Sequence, residues 1–162
     1  RPVVAAVDGA AFGAGFGLAM AADFVIATPR ARLCVSFIKI GLVPDCGTFY
    51  TLPRIVGAQR AKELMLSGRE VGGEEALRLG MAMELQAPEQ LLPRARALAD
   101  SFAGASPSAV SLIRRSLAAA DDLDPRLELE PSAQALAMGT AGHRDAVADF
   151  LAKRAPRFQW PG

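Results

Sequence analysis

Two short segments of the sequence carry residues whose types and spacing suit chemistry. The first is the glycine cluster Gly13-Ala14-Gly15-Phe16-Gly17, which follows a short apolar run. A strand, then Gly-x-Gly and a short helix leave backbone N–H groups pointing outward, and small residues let a ligand atom approach them. Such N–H groups suit a phosphate, or a carbonyl oxygen that becomes negative during a reaction. A tight turn with close helix–strand packing explains the same glycines.

A dinucleotide site is a further interpretation of this cluster. The full G-x-G-x-x-G motif fails, because Leu18 stands where the last glycine is required. An acidic residue about 20 positions further on is expected to hold the ribose, but the residues in that region are Ala31, Arg32 and Leu33. A nucleotide-binding module remains a hypothesis, which predicts that the protein binds NAD.

The second segment is residues 41–47, with the sequence Gly-Leu-Val-Pro-Asp-Cys-Gly. Asp45 follows Pro44 in an otherwise apolar neighbourhood, which suits a carboxylate that takes up and returns a proton. Aspartate is also a favoured helix N-cap, so Asp45 is alternatively the cap of a helix that we predict from near Cys46 to about Val56. The Cys46 thiol, next to a carboxylate, is poorly activated as a nucleophile.

The elements that would position these segments alternate between strands and short helices. Apolar runs predict strands at 3–7, 24–27 and 33–36, with a short buried helix at 18–22. From Ala58 onward the composition favours helices, with one further strand at 81–86. The predicted helices of this later part cover residues 58–67, 73–79, 89–104, 106–120, 124–139 and 142–155. We therefore predict an α/β fold, with residues 1–57 carrying both chemical segments and residues 58–162 forming a helical region.

The composition excludes several classes of protein. Of 162 residues, 51% are hydrophobic, which excludes general disorder, and 18 basic against 17 acidic residues remove the electrostatic argument for a nucleic acid or anionic membrane partner. Two cysteines and one histidine give neither a disulfide framework nor a metal motif. Asp8 and four glycines interrupt the longest low-charge run, so no membrane helix is predicted. We expect a cytoplasmic protein that binds no metal.

In order and spacing, these segments resemble the crotonase family, also called the enoyl-CoA hydratase/isomerase family. The resemblance covers essentially the whole chain. It implies a crotonase-like ββα spiral core in residues 1–57 and a C-terminal helical trimerisation region in residues 58–162. The matching stretches are 1–9, Gly13-Ala14-Gly15 with Leu18-Ala19-Met20, Ala22-Asp23, 37–45, 52–57 and the tail 150–158.

The resemblance assigns roles to individual residues. It implies that the backbone N–H of Ala14 is one of two oxyanion donors. It also implies that Asp45 matches the aspartate of a subgroup similar to the ring-epoxide and enoyl-CoA isomerases of phenylacetate breakdown. The two catalytic glutamates of the family's hydratases fall on Gly17 and Phe37, so neither is present. The residues implied to contact substrate are Gly13, Gly15, Phe37, Pro44 and Lys153.

The implied activity is a double-bond shift in an acyl-CoA thioester, with Asp45 as acid and base. One carboxylate favours isomerisation, because hydration also needs an activated water, usually held by a second carboxylate. Coenzyme A is part of the substrate, so no separate cofactor is expected, and the resemblance implies a homotrimer or a dimer of trimers. The alternatives are a hydratase, a dehalogenase- or hydrolase-like member with Asp45 as nucleophile, and a non-catalytic CoA-ester-binding remnant.

The resemblance covers only the later part of the family. Members carry a substantial preceding stretch, which supplies the other oxyanion N–H and much of the coenzyme A surface. We therefore expect either a piece of a longer protein or a protein that lacks half of the usual site.

Overall fold

The computed structural model describes residues 1–118, 123–155, 157–159 and 161. Residues 119 and 120 of the predicted helix 106–120, and Pro156 of the tail, lie outside this range. The chain forms two compact units, residues 2–99 and the part from Asp100 onward together with Arg1. This division lies well after the compositional boundary at Gly57, because two later strands pair with strands from the first part of the chain.

Six short strands build two sheets in the first unit. They are β1 (Val4–Val7), β2 (Ala10–Phe12), β3 (Phe24–Ala27), β4 (Arg32–Cys34), β5 (Glu70–Gly72) and β6 (Glu84–Leu85). One sheet has the order β1-β3-β6 with parallel pairing throughout. The other has the order β2-β4-β5, in which β4 is parallel to β2 and antiparallel to β5. Each of the first two strand pairs thus contributes one strand to each sheet.

Burial and length explain why some strands could be predicted from the sequence and others could not. Val25, Ile26 and Ala27 of the central strand β3 are all buried, and a strand covered on both faces reads as an uninterrupted apolar run. The predicted strands at 3–7 and 24–27 are therefore confirmed. Strands β2 and β5, with three residues each, were not predicted, because so short a segment shows no alternation. Strand β4 ends before Ser36, where a 3₁₀ helix begins.

Five helices and one 3₁₀ helix complete the described elements up to Ser101. They are α1 (Ala14–Met20), the 3₁₀ helix Ser36–Ile40, α2 (Thr48–Val56), α3 (Ala58–Ser67), α4 (Gly73–Arg78) and α5 (Pro88–Ser101). Their apolar faces form one core with the strands, in which Phe16, Leu33, Leu52 and Leu64 are fully buried. This core holds α1, which contains most of the glycine cluster, and α2, which directly follows the second segment.

The C-terminal unit is helical, as predicted, with α6 (Pro107–Ala118), α7 (Leu123–Met138) and α8 (Ala141–Leu151). The Thr140 side chain caps α8 by accepting a hydrogen bond from the His143 N–H at 3.2 Å. Buried Asp149 accepts hydrogen bonds from Arg154 and Arg157. The trimerisation role of this region stays a prediction. Within the described ranges, no helix combines the length and apolar character needed to cross a membrane.

A charged cluster ties α3, β5 and α4 together and gives the fold a pH-dependent component. Arg69 Nε lies 2.6 Å from Glu63, and its Nη2 lies 2.8 Å from Glu75. Hydrogen bonds from Arg69 lower the pKa of both glutamates below the ordinary 4.5. A lowered carboxyl pKa contributes stability that is complete above the unfolded pKa and is lost as the pH falls through the folded one. The cluster should therefore stabilise the fold at neutral pH. Its contribution to the free energy of unfolding should decrease as the pH falls below 4.5.

We expect the free energy of unfolding of Arg69→Gln to depend less steeply on pH below neutral than that of wild type. Its free energy of unfolding at neutral pH should fall by about 1 kcal/mol or less per ion pair, because these side chains are about one-third exposed. Urea unfolding at a series of pH values measures both effects. Arg96→Gln, an exposed arginine in α5, is the control and should leave the curve unchanged. If the free energies of unfolding of wild type and Arg69→Gln fell equally steeply at acid pH, the cluster would not be the source of this pH dependence.

Candidate active site

The glycine cluster forms the turn into helix α1. Gly13 is the N-cap residue, with φ 53° and ψ −120°, a conformation that glycine adopts without steric cost. Its N–H donates to the Cys34 carbonyl at 3.0 Å, which anchors the turn to β4. Ala14 is the first residue of α1 and is exposed, and N–H groups in a first helical turn have no acceptor within the helix. The first N–H of α1 therefore belongs to an exposed residue and has no acceptor within the helix.

The aspartate loop connects the 3₁₀ helix to α2. Gly41 ends the 3₁₀ helix in the left-handed region, at φ 72°, and the Leu42 N–H donates to the Phe37 carbonyl at 3.0 Å. Asp45 is exposed and Pro44 is half-buried. The apolar surroundings expected for Asp45 are present as side chains open to solvent, with Leu42 55% and Val43 73% exposed.

Asp45 does not occupy the cap position of α2. The helix begins at Thr48 with Gly47 as its N-cap residue, and it is the backbone carbonyl of Asp45 that accepts from the Thr48 N–H, at 2.9 Å. The predicted start near Cys46 is two residues too early, because Cys46 and Gly47 adopt left-handed φ values of 49° and 75°. This arrangement leaves the Asp45 carboxylate outside the capping role.

The glycine turn and the aspartate loop are in direct contact. A Cβ built on the buried Gly17 would lie 2.6 Å from Cys46 Cβ and 3.1 Å from Thr48 Oγ1. Real Cβ atoms do not approach this closely, so the absence of a side chain at position 17 is what lets the loop rest on α1. The helix that starts with Ala14 and the loop that carries Asp45 therefore form one packed structure.

Phe37 stands beside the turn. A Cβ on Gly13 would lie 3.8 Å from its Cζ, which is ordinary van der Waals contact. The residue is 8% exposed and belongs to the core cluster. The ring therefore lies directly beside the Gly13 turn, at the edge of the core.

The structure brings most of the predicted site residues together in the first unit. Lys153 is the exception, because it lies in the C-terminal unit just after α8, exposed and with φ 53°. The remaining residues lie on the turn, the 3₁₀ helix and the loop described above: Gly13, Ala14, Gly15, Phe37, Pro44 and Asp45. Their roles in binding and catalysis stay predictions.

Two features of the site were missed by sequence reasoning. Interaction with the adjacent Asp45 carboxylate, followed by desolvation, raises the pKa of the Cys46 thiol. The Thr48 hydroxyl is fully buried and has no hydrogen-bond partner in the structure. Only the proximity of Cys46 to Asp45 was visible in sequence, whereas the contacts with Gly17 depend on folding. Among the residues that the structure describes, no three His, Cys, Asp or Glu side chains are grouped as a metal ion would require.

Comparison with known proteins places this chain in a family. Residues 1–160 match the family model for enoyl-CoA hydratase/isomerase. The chain is 40% identical over 160 residues to a 1,2-epoxyphenylacetyl-CoA isomerase from Escherichia coli K12, covering 98% of this chain and 61% of that protein. It is 39% identical over 159 residues to a probable enoyl-CoA hydratase from Rhodobacter capsulatus, covering 97% and 62%. The chain thus spans less than two thirds of the length of these relatives.

A solved structure gives the same answer for the fold. The crystal structure of an enoyl-CoA hydratase/isomerase from Cupriavidus metallidurans CH34 matches 100% of this chain and 62% of its own, with a TM-score of 0.96 and 48% sequence identity. The predicted crotonase-like core is therefore confirmed. The chain belongs to the enoyl-CoA hydratase/isomerase, or crotonase, family.

Proposed function

We propose that this protein is an enoyl-CoA isomerase that moves a double bond by proton transfer through an enolate. The observation that carries the proposal is the contact between the α1 turn and the aspartate loop. It puts two exposed residues on the same packed structure: Asp45 with its carboxylate, and Ala14 with the first N–H of α1. An acid/base group and an oxyanion donor on one rigid support are what this reaction needs.

The proposed reaction converts a 3-enoyl-CoA into a 2-enoyl-CoA. The Asp45 carboxylate removes a proton from the carbon next to the thioester carbonyl, and the electron pair moves onto the carbonyl oxygen. The Ala14 N–H donates a hydrogen bond to that oxygen while it is negative. When the carbonyl re-forms, the electrons shift through the double bond, and the far carbon takes the proton back from Asp45. No atom is gained or lost, so one carboxylate suffices.

The surroundings of position 17 support isomerisation over hydration. Hydration needs a water molecule activated by a further base, usually a second carboxylate. Gly17 has no room for any side chain, and Phe37 is held in the core, so neither position supplies that carboxylate. The hydratase alternative draws its support from relatives such as the probable enoyl-CoA hydratase of Rhodobacter capsulatus.

The proposal extends to partners and location. The substrate is an acyl-CoA thioester, with Lys153 as a further substrate contact, and no cofactor is needed beyond the coenzyme A of the substrate. We propose a homotrimer or a dimer of trimers, on the strength of the family resemblance. The two free cysteines, buried Cys34 and exposed Cys46, support a reducing, cytoplasmic location.

The test supplies 3-enoyl-CoA and 2-enoyl-CoA separately to the full gene product that contains these residues. Absorbance of the conjugated thioester reports both reactions, because isomerisation creates conjugation and hydration removes it. We expect the signal to rise with 3-enoyl-CoA and to stay constant with 2-enoyl-CoA. A falling signal with 2-enoyl-CoA would favour the hydratase, and binding of either ester without any change would indicate a non-catalytic CoA-ester-binding protein.

A further inference from the structure

Helix α8 ends in a tight turn that carries Lys153. The Lys153 N–H donates to the Phe150 carbonyl at 3.0 Å, and the Arg154 N–H donates to the Asp149 carbonyl at 2.9 Å. This pair of bonds is the Schellman motif, in which the residue just past the helix takes a left-handed conformation and is usually glycine. Lys153 occupies that position, with φ 53°. The turn therefore carries a long side chain where glycine would be free of strain.

The Asp149 carboxylate fastens the residue that follows Lys153. Its Oδ1 accepts a hydrogen bond from Arg154 Nε at 2.8 Å and lies 2.7 Å from Arg154 Nη2. Its Oδ2 accepts from Arg157 Nε at 3.0 Å. Asp149 thus holds Arg154 through its backbone carbonyl and through its carboxylate, and its side chain is only 12% exposed. The turn at Lys153 is consequently fixed from the side of the helix.

The chain beyond the turn is docked on the same unit. A Cβ built on Gly104 would overlap the Arg157 carbonyl oxygen, so the backbone there passes directly over the glycine. The Phe158 ring stacks on Phe102, with 5.5 Å between the ring centroids. Lys153 therefore lies in a segment that is held at both ends, and this backbone sets the direction in which its side chain leaves the chain.

The charges around the turn leave the Lys153 ammonium available. Arg154 and Arg157 both pair with Asp149, and Arg157 also lies 3.1 Å from Asp145. Lys153 is exposed, and among the described residues no ion pair involves it. Coenzyme A carries phosphate groups, which a lysine ammonium binds as a point charge. The turn thus offers one unneutralised cation to an anionic ligand.

We propose that Asp149 is a positioning residue, which fixes the turn after α8 so that the Lys153 ammonium reaches a phosphate group of coenzyme A. This inference rests on the proposed function, because it takes the coenzyme A part of the substrate as the partner of Lys153. Asp149 itself touches no substrate in this role. It acts by holding Arg154 and, through the backbone, the left-handed residue that precedes it.

The contact of Lys153 is tested first. Lys153→Met removes the ammonium and keeps the length of the side chain. The dissociation constant of coenzyme A, measured by titration calorimetry on the full gene product that contains these residues, should rise by about 5- to 10-fold, the effect of losing an ion pair or a charged hydrogen bond. The KM for 3-enoyl-CoA should rise in parallel. The effect should be absent with the same acyl group on pantetheine, which lacks the phosphates.

Asp149→Asn tests the positioning role. The amide keeps the shape and the backbone carbonyl but loses the charge that binds Arg154. The dissociation constant of coenzyme A should rise by no more than the factor found for Lys153→Met, and the pantetheine thioester should again be unaffected. The direction is decisive, because removing a negative charge near a phosphate site would by itself strengthen binding.

Asp145→Asn is the matched control. Asp145 lies on the same helix, its side chain is 54% exposed, and its carboxylate pairs with Arg157. The substitution makes the same change of charge without touching the turn, so it should not weaken coenzyme A binding. In the Lys153→Met background, Asp149→Asn should weaken binding no further, because a positioning residue has no effect once the group it positions is gone.

An unchanged or tighter coenzyme A affinity in a folded Asp149→Asn variant would overturn the positioning role, as would an equal further loss in the Lys153→Met background. Unchanged affinity in Lys153→Met would also overturn it. If a thermal melt shows Asp149→Asn unfolded, Arg154→Gln breaks the same contact from its other side, and the Lys153→Met background again separates positioning from loss of charge. A wild type that binds coenzyme A without isomerising 3-enoyl-CoA would mean that the proposed function has failed, while the binding series still decides the role of Asp149.

Discussion

Asp45→Asn is expected to lower kcat on 3-enoyl-CoA by about 10²–10⁴-fold, the usual contribution of general acid–base catalysis. The amide has nearly the same shape but cannot take up the proton that the reaction moves. The folded structure should be unaffected, because Asp45 is exposed and the α2 start depends on its backbone carbonyl, which the substitution keeps. Steady-state kinetics and a thermal melt measure the two quantities.

The control for this prediction is another exposed carboxylate in the same unit. Glu74 lies in the first turn of α4, away from the glycine turn in sequence, and Glu74→Gln makes the same chemical change. It should leave kcat unchanged. An Asp45→Asn variant that folds and retains wild-type kcat would remove Asp45 from the reaction, and with it the isomerase mechanism proposed here.

The fold was predictable where the structure requires a recognisable residue type, such as an apolar run in a buried strand or a glycine at the end of a helix. β3 reads as an apolar run because it is central in a parallel sheet, and α3 ends at Gly68 because that residue takes a left-handed φ of 57°. Strands β2 and β5 have no such signal in the sequence. Each is three residues long, and each is specified by its pairing with β4, which a local reading of the sequence does not contain.

The site was predictable in its parts but not in its packing. The roles proposed for Ala14 and Asp45 rest on the family resemblance, and the structure adds that their segments touch. The contact between the aspartate loop and α1 depends on a left-handed φ at Cys46. Cysteine rarely adopts this conformation, and no residue pattern predicts it. The sequence shows a cysteine beside an aspartate, whereas folding shows that the cysteine also meets Gly17.

The two positions that match the hydratase glutamates lack them for different physical reasons. At Gly17 the loop leaves no space for a Cβ, so Gly17→Glu would force the aspartate loop away from α1. At Phe37 the side chain is buried beside the Gly13 turn, so Phe37→Glu would place a charge in the core and remove the support of the turn. Neither single change supplies a second carboxylate at the site, so the one-carboxylate arrangement on which the proposed isomerase rests depends on the packing.

The oxyanion role proposed for Ala14 belongs to a backbone atom, and proline is the substitution that removes that atom's hydrogen. Ala14→Pro deletes the N–H at the first position of a helix, where proline is tolerated because that N–H has no intrahelical partner. Gly13 precedes it with φ 53° and ψ −120°, outside the helical region that a following proline disfavours. We expect kcat to fall by about 10²–10³-fold, the usual effect of losing one oxyanion donor, with a smaller change in KM.

Two variants separate this effect from a loss of folding. Ala14→Ser keeps the N–H and should keep most of the activity. Ala58→Pro places proline at the first position of α3, also after a glycine with positive φ, and therefore measures the structural effect of such a substitution away from the site. If Ala14→Pro melts like Ala58→Pro yet turns over 3-enoyl-CoA as fast as Ala14→Ser, the Ala14 N–H does not stabilise the enolate. If it melts normally and turnover collapses, the start of α1 supplies the hydrogen bond that the negative oxygen needs.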